Sequence, residues 1–77
     1  MAELLGTVRR ALRVLDFLAD AEQPVAIKRL ATELGLNISS AYHVMNTLAV
    51  DGYVSRDERS GGYGLGAKAA RLGDAYA

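Results

Sequence analysis

Leu30-Ala31-Thr32-Glu33-Leu34-Gly35-Leu36-Asn37-Ile38-Ser39-Ser40-Ala41-Tyr42-His43-Val44-Met45-Asn46-Thr47-Leu48 is the stretch on which the fold turns. Ile27, Leu30, Ala31 and Leu34 recur at three- and four-residue steps and mark the inner face of a short helix, with Lys28, Arg29, Thr32 and Glu33 on the outer one. Glycine just past the last periodic residue accepts the left-handed conformation, so Gly35 turns the chain sharply and Leu36 packs back on the helix it has left. Asn37 suits the N-cap of a further helix, with Ser39 and Ser40 able to assist. That helix runs from Ile38 to about Val50, buries Ala41, Val44, Met45 and Leu48, and is ended by Gly52. Two helices joined by a tight glycine turn form the helix-turn-helix unit, whose second helix can enter the major groove of DNA. Helical hairpins of this outline also occur without DNA, so the exposed side chains decide the matter.

The outward positions of the third helix are Ser39, Ser40, Tyr42, His43, Asn46 and Thr47. None is a strong helix former, and a solvated face selected for stability would be composed differently. Short hydroxyls, an amide and an imidazole can exchange hydrogen bonds with base edges, and the Tyr42 ring offers an apolar surface to a thymine methyl. His43 is the single histidine of the chain. Ser39, Ser40 and Tyr42 supply no carboxylate to orient its imidazole, and no second histidine or cysteine stands at ligand spacing, so hydrogen bonding is its expected role. Toward acid pH an imidazole adds a positive charge to such a contact.

Working outward, Thr7 to about Asp20 is an amphipathic helix. Its core face is expected to be Val8, Ala11, Leu12, Leu15, Leu18 and Ala19, with Thr7 as cap and Arg9, Arg13, Asp16 and Asp20 as the opposite polar stripe. Val14 and Phe17 lie off that stripe and make the apolar arc broad. On the other side, Tyr53 to Arg56 and Gly62 to Leu65 read as two short strands of a hairpin. Its loop, Arg56-Asp57-Glu58-Arg59-Ser60-Gly61-Gly62, combines basic side chains with amides left accessible by glycine, which suits a phosphate ridge or a minor groove. Asp57 and Glu58 would repel phosphate unless they point away. From Ala67 onward Ala69, Leu72 and Tyr76 resume helical spacing, and the chain stops with no terminating signal, as a linker helix leading elsewhere would.

Composition bounds these readings. Seventy-seven residues allow one small domain with a modest core. The absence of cysteine removes disulfides, thiolate chemistry and cysteine-rich zinc sites. No apolar stretch approaches the roughly 18 residues of a membrane span, and the start lacks the basic region of a signal peptide, so a cytoplasmic protein is expected. Nine basic and nine acidic residues leave a formal net charge of zero, whereas nucleic-acid-binding domains carry a basic excess. The arginines nevertheless cluster at Arg9, Arg10 and Arg13, and again at Arg56 and Arg59. A phosphate-binding glycine loop, a metal set and a carboxylate–histidine pair are all missing, which speaks against an enzyme or a cofactor. A winged helix that serves protein interaction without DNA remains the alternative.

Thr7-Val8-Arg9-Arg10-Ala11-Leu12, then Leu30-Ala31-Thr32-Glu33-Leu34-Gly35-Leu36 with Ser39-Ser40-Ala41-Tyr42, then Thr47-Leu48 with Asp51-Gly52-Tyr53-Val54, and finally Tyr63-Gly64-Leu65-Gly66 with Leu72-Gly73 resemble, in order and spacing, the isocitrate lyase regulator (IclR) family of bacterial transcription factors. The sequence departs from that family's habit at His43, where arginine is frequent, at Asn37 for proline, at Lys28 for a capping serine and at Ala41 for valine. The resemblance implies a mainly α fold with a small β-hairpin, a winged helix-turn-helix over residues 1–65, and the start of a linker helix over 66–77. It implies sequence-specific binding to a palindromic double-stranded DNA operator, with Ser39, Ser40, Tyr42, His43, Asn46 and Thr47 toward the bases. Phosphate and wing contacts would come from Arg10, Lys28, Arg56, Arg59 and Ser60, Arg10 being favoured by its family position. It further implies a homodimer or tetramer paired through the first and linker helices, and a separate domain that binds a small-molecule effector.

Overall fold

The computed structural model describes residues 3–76; Met1 and Ala2, at the start of the expected winged helix, and Ala77, at the end of the expected linker, lie outside it. Four helices and one hairpin follow in the order α1 (Gly6–Asp20), α2 (Ile27–Leu34), α3 (Ile38–Val50), β1 (Val54–Arg56), β2 (Tyr63–Leu65) and α4 (Ala67–Ala75). The strands pair antiparallel in the register Val54 with Leu65, Ser55 with Gly64 and Arg56 with Tyr63. The mainly helical fold with a small hairpin is the architecture the sequence implies. Tyr53 and Gly62 stand just outside the strands in which the sequence placed them.

One core joins the first three helices and the hairpin. Val14 and Leu18 of α1, Leu30 and Leu34 of α2, Met45 of α3, Val54 and Tyr63 of the hairpin, and Val25 from the α1–α2 loop form a single buried cluster. Nothing in the sequence pattern singles out Val25 as a core residue. Its amide donates to the Tyr63 carbonyl at 2.9 Å and its carbonyl accepts from the Tyr63 amide at 2.8 Å, making a two-way bridge that ties β2 to the helical body. Gly62 lies so close to Pro24 and Val25 that a Cβ would stand 2.9 Å from the proline ring.

The helix ends follow the local chemistry of the sequence in two cases and not in a third. Gly35 adopts φ +67°, and the Leu36 amide reaches back to the Ala31 carbonyl at 2.9 Å, closing α2 in a left-handed cap. Asn37 caps α3 by accepting from the Ser40 amide at 2.8 Å. Thr7, expected to cap α1, lies inside its first turn; Leu5 holds the cap position and offers no side-chain bond.

The core face of α1 also differs from the expected one. Val14 and Leu18 are buried, and Ala11, Leu15 and Phe17 half-buried, whereas Val8 and Leu12 are 53 % and 56 % exposed and Ala19 is exposed as well. The broad apolar arc thus divides into two stripes: one closes the chain's own core and the other, with Leu4 and Leu5, faces solvent. Periodicity alone cannot separate them, because both recur at helical spacing.

α4 begins as part of this body and then leaves it. The Gly66 amide donates to the Tyr53 carbonyl at 2.9 Å and the Lys68 amide to the Gly52 carbonyl at 3.1 Å. The Lys68 ammonium sits 5.7 Å from the centre of the Tyr53 ring. Beyond Ala69 every described residue of α4 is exposed.

Candidate nucleic-acid interface

α3 is positioned by two features already described: the Gly35 turn fixes its angle to α2, and Ala41 and Met45, fully buried, seal its inner side. A helix advances about 100° per residue, so Ser39, His43 and Asn46 fall on one line directly opposite that seal. All three are exposed, as are Tyr42 and Thr47 on the flanks. Ser40 is half-buried, and its backbone amide is bonded to the Asn37 side chain. The structure therefore brings five of the six base-contact candidates to a bare face and leaves the sixth at its margin. No residue of Ile38–Val50 carries a formal charge at neutral pH with the histidine neutral. A surface of this kind offers donors, acceptors and apolar groups without the long-range attraction that basic side chains would add.

Val50 extends the same line and is 85 % exposed, and the sequence reading missed it. Its position, eleven residues past Ser39, was a sufficient signal, since three helical turns return to the same side. Thr47 differs from expectation in its chemistry. Its hydroxyl donates to the His43 carbonyl at 2.8 Å, so its single proton is engaged and what it has left to present is its methyl and an acceptor oxygen. Beside it, between α1 and α3, lies a cleft of about 180 Å³ lined by Thr7, Ala11, His43, Val44, Thr47 and Leu48.

The wing is held in shape by Asp57. Its carboxylate accepts from the Ser60 hydroxyl at 2.7 Å and from the Ser60 amide at 2.8 Å. Its own amide and carbonyl bond to Gly62 and Gly61, each at 2.7 Å. The Ser60 hydroxyl and, behind it, the Ser60 amide hold the Asp57 carboxyl below its usual value of 3.8. The concern that Asp57 would face phosphate is met by geometry: its charge is turned into the loop. The same bonds alter the reading of Ser60, whose hydroxyl donates inward to Asp57 and accepts from the Gly62 amide at 3.1 Å. Arg56 also lies along the wing, donating to the Gly61 carbonyl at 3.2 Å with its guanidinium 5.9 Å from the Tyr63 ring centre. Glu58 and Arg59 stand exposed at the tip.

Of the remaining basic candidates, Lys28 is exposed on the first turn of α2, and Arg10 is half-buried with its guanidinium beside Gly6. Arg13 bridges to α2 by donating to the Glu33 carbonyl at 3.2 Å, and Arg29 covers Phe17 at 5.3 Å from its ring centre. These two cations serve the fold. Among the described residues no group of three or more histidine, aspartate or glutamate side chains could hold a metal ion, and no helix is long and apolar enough to cross a membrane.

Comparison with known proteins places this geometry. Residues 7–58 match the model of the IclR helix-turn-helix domain. The chain is similar to the glycerol operon regulatory protein of Streptomyces coelicolor, 37 % identical over 76 residues, covering 99 % of this chain and 30 % of that protein. It is also similar to the transcriptional repressor IclR of Escherichia coli, 27 % identical over 70 residues, covering 91 % of this chain and 26 % of that protein. Among solved structures, an IclR-type transcriptional regulator from Alicyclobacillus acidocaldarius superposes with a TM-score of 0.86 at 30 % identity, covering 94 % of this chain and 29 % of that one. An IclR family transcriptional regulator from Brucella abortus gives a TM-score of 0.81 at 28 % identity, covering 97 % of this chain and 30 % of that one. The chain thus spans about a third or less of the length of the relatives it matches, and these relatives are transcriptional regulators rather than enzymes. On the match of residues 7–58 and the shared winged-helix architecture, the chain belongs to the IclR family and carries its DNA-binding helix-turn-helix domain.

Proposed function

We propose that this chain is the operator-reading part of a longer transcriptional regulator, and that two copies dock on adjacent half-sites of a palindromic duplex with α3 in the major groove. The observation that carries this reading is the bare line Ser39, His43 and Asn46 on a helix whose opposite side is sealed by Ala41 and Met45. Ser39, Ser40, Tyr42, His43, Asn46 and Thr47 then meet base edges. Arg10, Lys28 and Arg59 hold phosphates and set the register, while Arg56 and Ser60 act by shaping the wing that presents Arg59.

Residues 1–65 are the DNA-binding unit in this reading, and 66–77 begin the linker. The exposed stripe Leu4, Leu5, Val8 and Leu12, together with Leu72 and Tyr76 of α4, supplies the surface through which the full-length protein forms a homodimer or tetramer. A small-molecule effector binds a domain beyond this chain, which accounts for the greater length of the relatives. The protein needs no cofactor to bind DNA, and it works in the cytoplasm, where its operator lies.

Zero net charge favours a second reading, a winged helix that binds protein and not DNA. Fluorescence anisotropy with a random duplex separates the two. A DNA reader associates at low salt and loses affinity as salt rises, through release of counterions. Absence of association at low salt would overturn the first reading.

A further inference from the structure

The cleft between α1 and α3 opens where the bare side of α3 meets the start of α1, and two of its walls, His43 and Thr47, belong to that side. Its remaining walls are Thr7, Ala11, Val44 and Leu48, so the lining is mostly carbon. All six residues fall within the part of the chain that matches the DNA-binding domain. Thr47 is exposed, yet its one hydroxyl proton is donated to the His43 carbonyl at 2.8 Å. Donation to a base would first require breaking that bond, so Thr47 offers a duplex its methyl and an acceptor oxygen but no free donor. Base pairs present one apolar group in the major groove, the C5-methyl of thymine.

We propose that this cleft receives a thymine C5-methyl at one position of each half-site, with the Thr47 methyl and the side chains of Ala11 and Leu48 as the surface it contacts. Thr47 and Ala11 are then specificity-determining residues, and Thr47 reads the methyl by shape. The inference rests on the placement of α3 in the major groove proposed above. Continuity of the cleft with that face selects DNA as its occupant over a second copy of the chain.

The test uses duplexes selected by the chain from a random library, with each thymine replaced in turn by deoxyuridine, which removes the methyl and keeps the pairing. One thymine per half-site is expected to show about fourfold weaker binding without its methyl, the effect of exposing one apolar carbon. Thr47→Val keeps a methyl and preserves that difference; Thr47→Ser keeps the hydroxyl and abolishes it. Ala11→Leu fills the cleft and also makes thymine and deoxyuridine equivalent, with circular dichroism confirming the fold; if Ala11→Leu does not fold, the Thr47 pair decides alone. The proposal is overturned if the chain selects duplexes but no thymine methyl matters, or if Thr47→Ser keeps the difference that Thr47→Val loses. It is also overturned if Ala11→Leu changes self-association in sedimentation while the methyl effect stays intact, which assigns the cleft to a second copy. Failure to associate with any duplex removes the DNA reading itself, and this inference with it.

Discussion

The carboxylate of Asp57 receives both the hydroxyl and the amide of Ser60, at 2.7 and 2.8 Å, and this pair fixes the turn from which Arg59 projects. Because those bonds favour the ionised carboxylate, its folded pKa lies below 3.8, so the contribution is complete above that unfolded value and is lost as pH falls through the lower folded one. Measured against intrinsic rates, which themselves fall toward acid, protection of the Ser60 and Gly61 amides should therefore be lost only below about pH 4. In Asp57→Ala that loss of protection should appear at neutral pH. Unchanged protection of these amides in the variant would show that the turn does not depend on the carboxylate.

Two glycines carry different costs. Gly35 has φ +67° with open space around the position of a Cβ, so Gly35→Ala meets backbone strain alone, on the order of 1–2 kcal/mol. At Gly66 a Cβ would collide with the Gly52 carbonyl oxygen, which belongs to the cap of α3 and cannot swing aside. Thermal unfolding should rank Gly66→Ala well below Gly35→Ala. Equal melting temperatures would mean that the α3 cap gives way easily.

The two stripes of α1 make a second contrast. Leu18→Ala opens the core and should cost about 2–5 kcal/mol. Leu12→Ala removes an exposed side chain and should change stability by no more than about 0.5 kcal/mol at low protein concentration. Chemical denaturation at a concentration where self-association is negligible compares them directly. A large loss for Leu12→Ala under those conditions would place that residue in the monomer's core after all.

On DNA, loss of a base contact and loss of a phosphate contact have distinct signatures. His43→Ala should relax preference at one operator position by about 1–3 kcal/mol, leaving affinity for random duplex unchanged. Arg10→Ala should weaken binding to every sequence and flatten the salt dependence by about one phosphate contact. Anisotropy titrations over a salt series resolve the two. A uniform loss for His43→Ala, or a sequence-selective one for Arg10→Ala, would reverse their assigned roles.

Most of the architecture is legible in the sequence because its punctuation is local. Gly35, Asn37 and Gly52 act on neighbours within a few residues, and each sits where the structure needs it. What escaped is set by contacts distant in sequence. Val25 pairs with Tyr63, thirty-eight positions away, and nothing beside Pro24 announces that partner. Val8 and Val14 are alike as residues, and only the placement of α2 and the hairpin decides which is buried. The polar face of α3 could be read by composition and spacing, but the inward turn of Ser60 and the engaged hydroxyl of Thr47 are rotamer choices that residue identity does not dictate.

The junction of α4 with the end of α3 has a mechanical meaning. Gly66 and Lys68 clamp the first turn to Tyr53 and Gly52, while residues 70–76 are exposed. A stiff rod gripped at one end and bare along the rest is a lever, and its fulcrum here is the cap of the helix that bears Ser39 and His43. A displacement of the far end of that rod therefore bears on the tail of α3 as well as on the hairpin it follows.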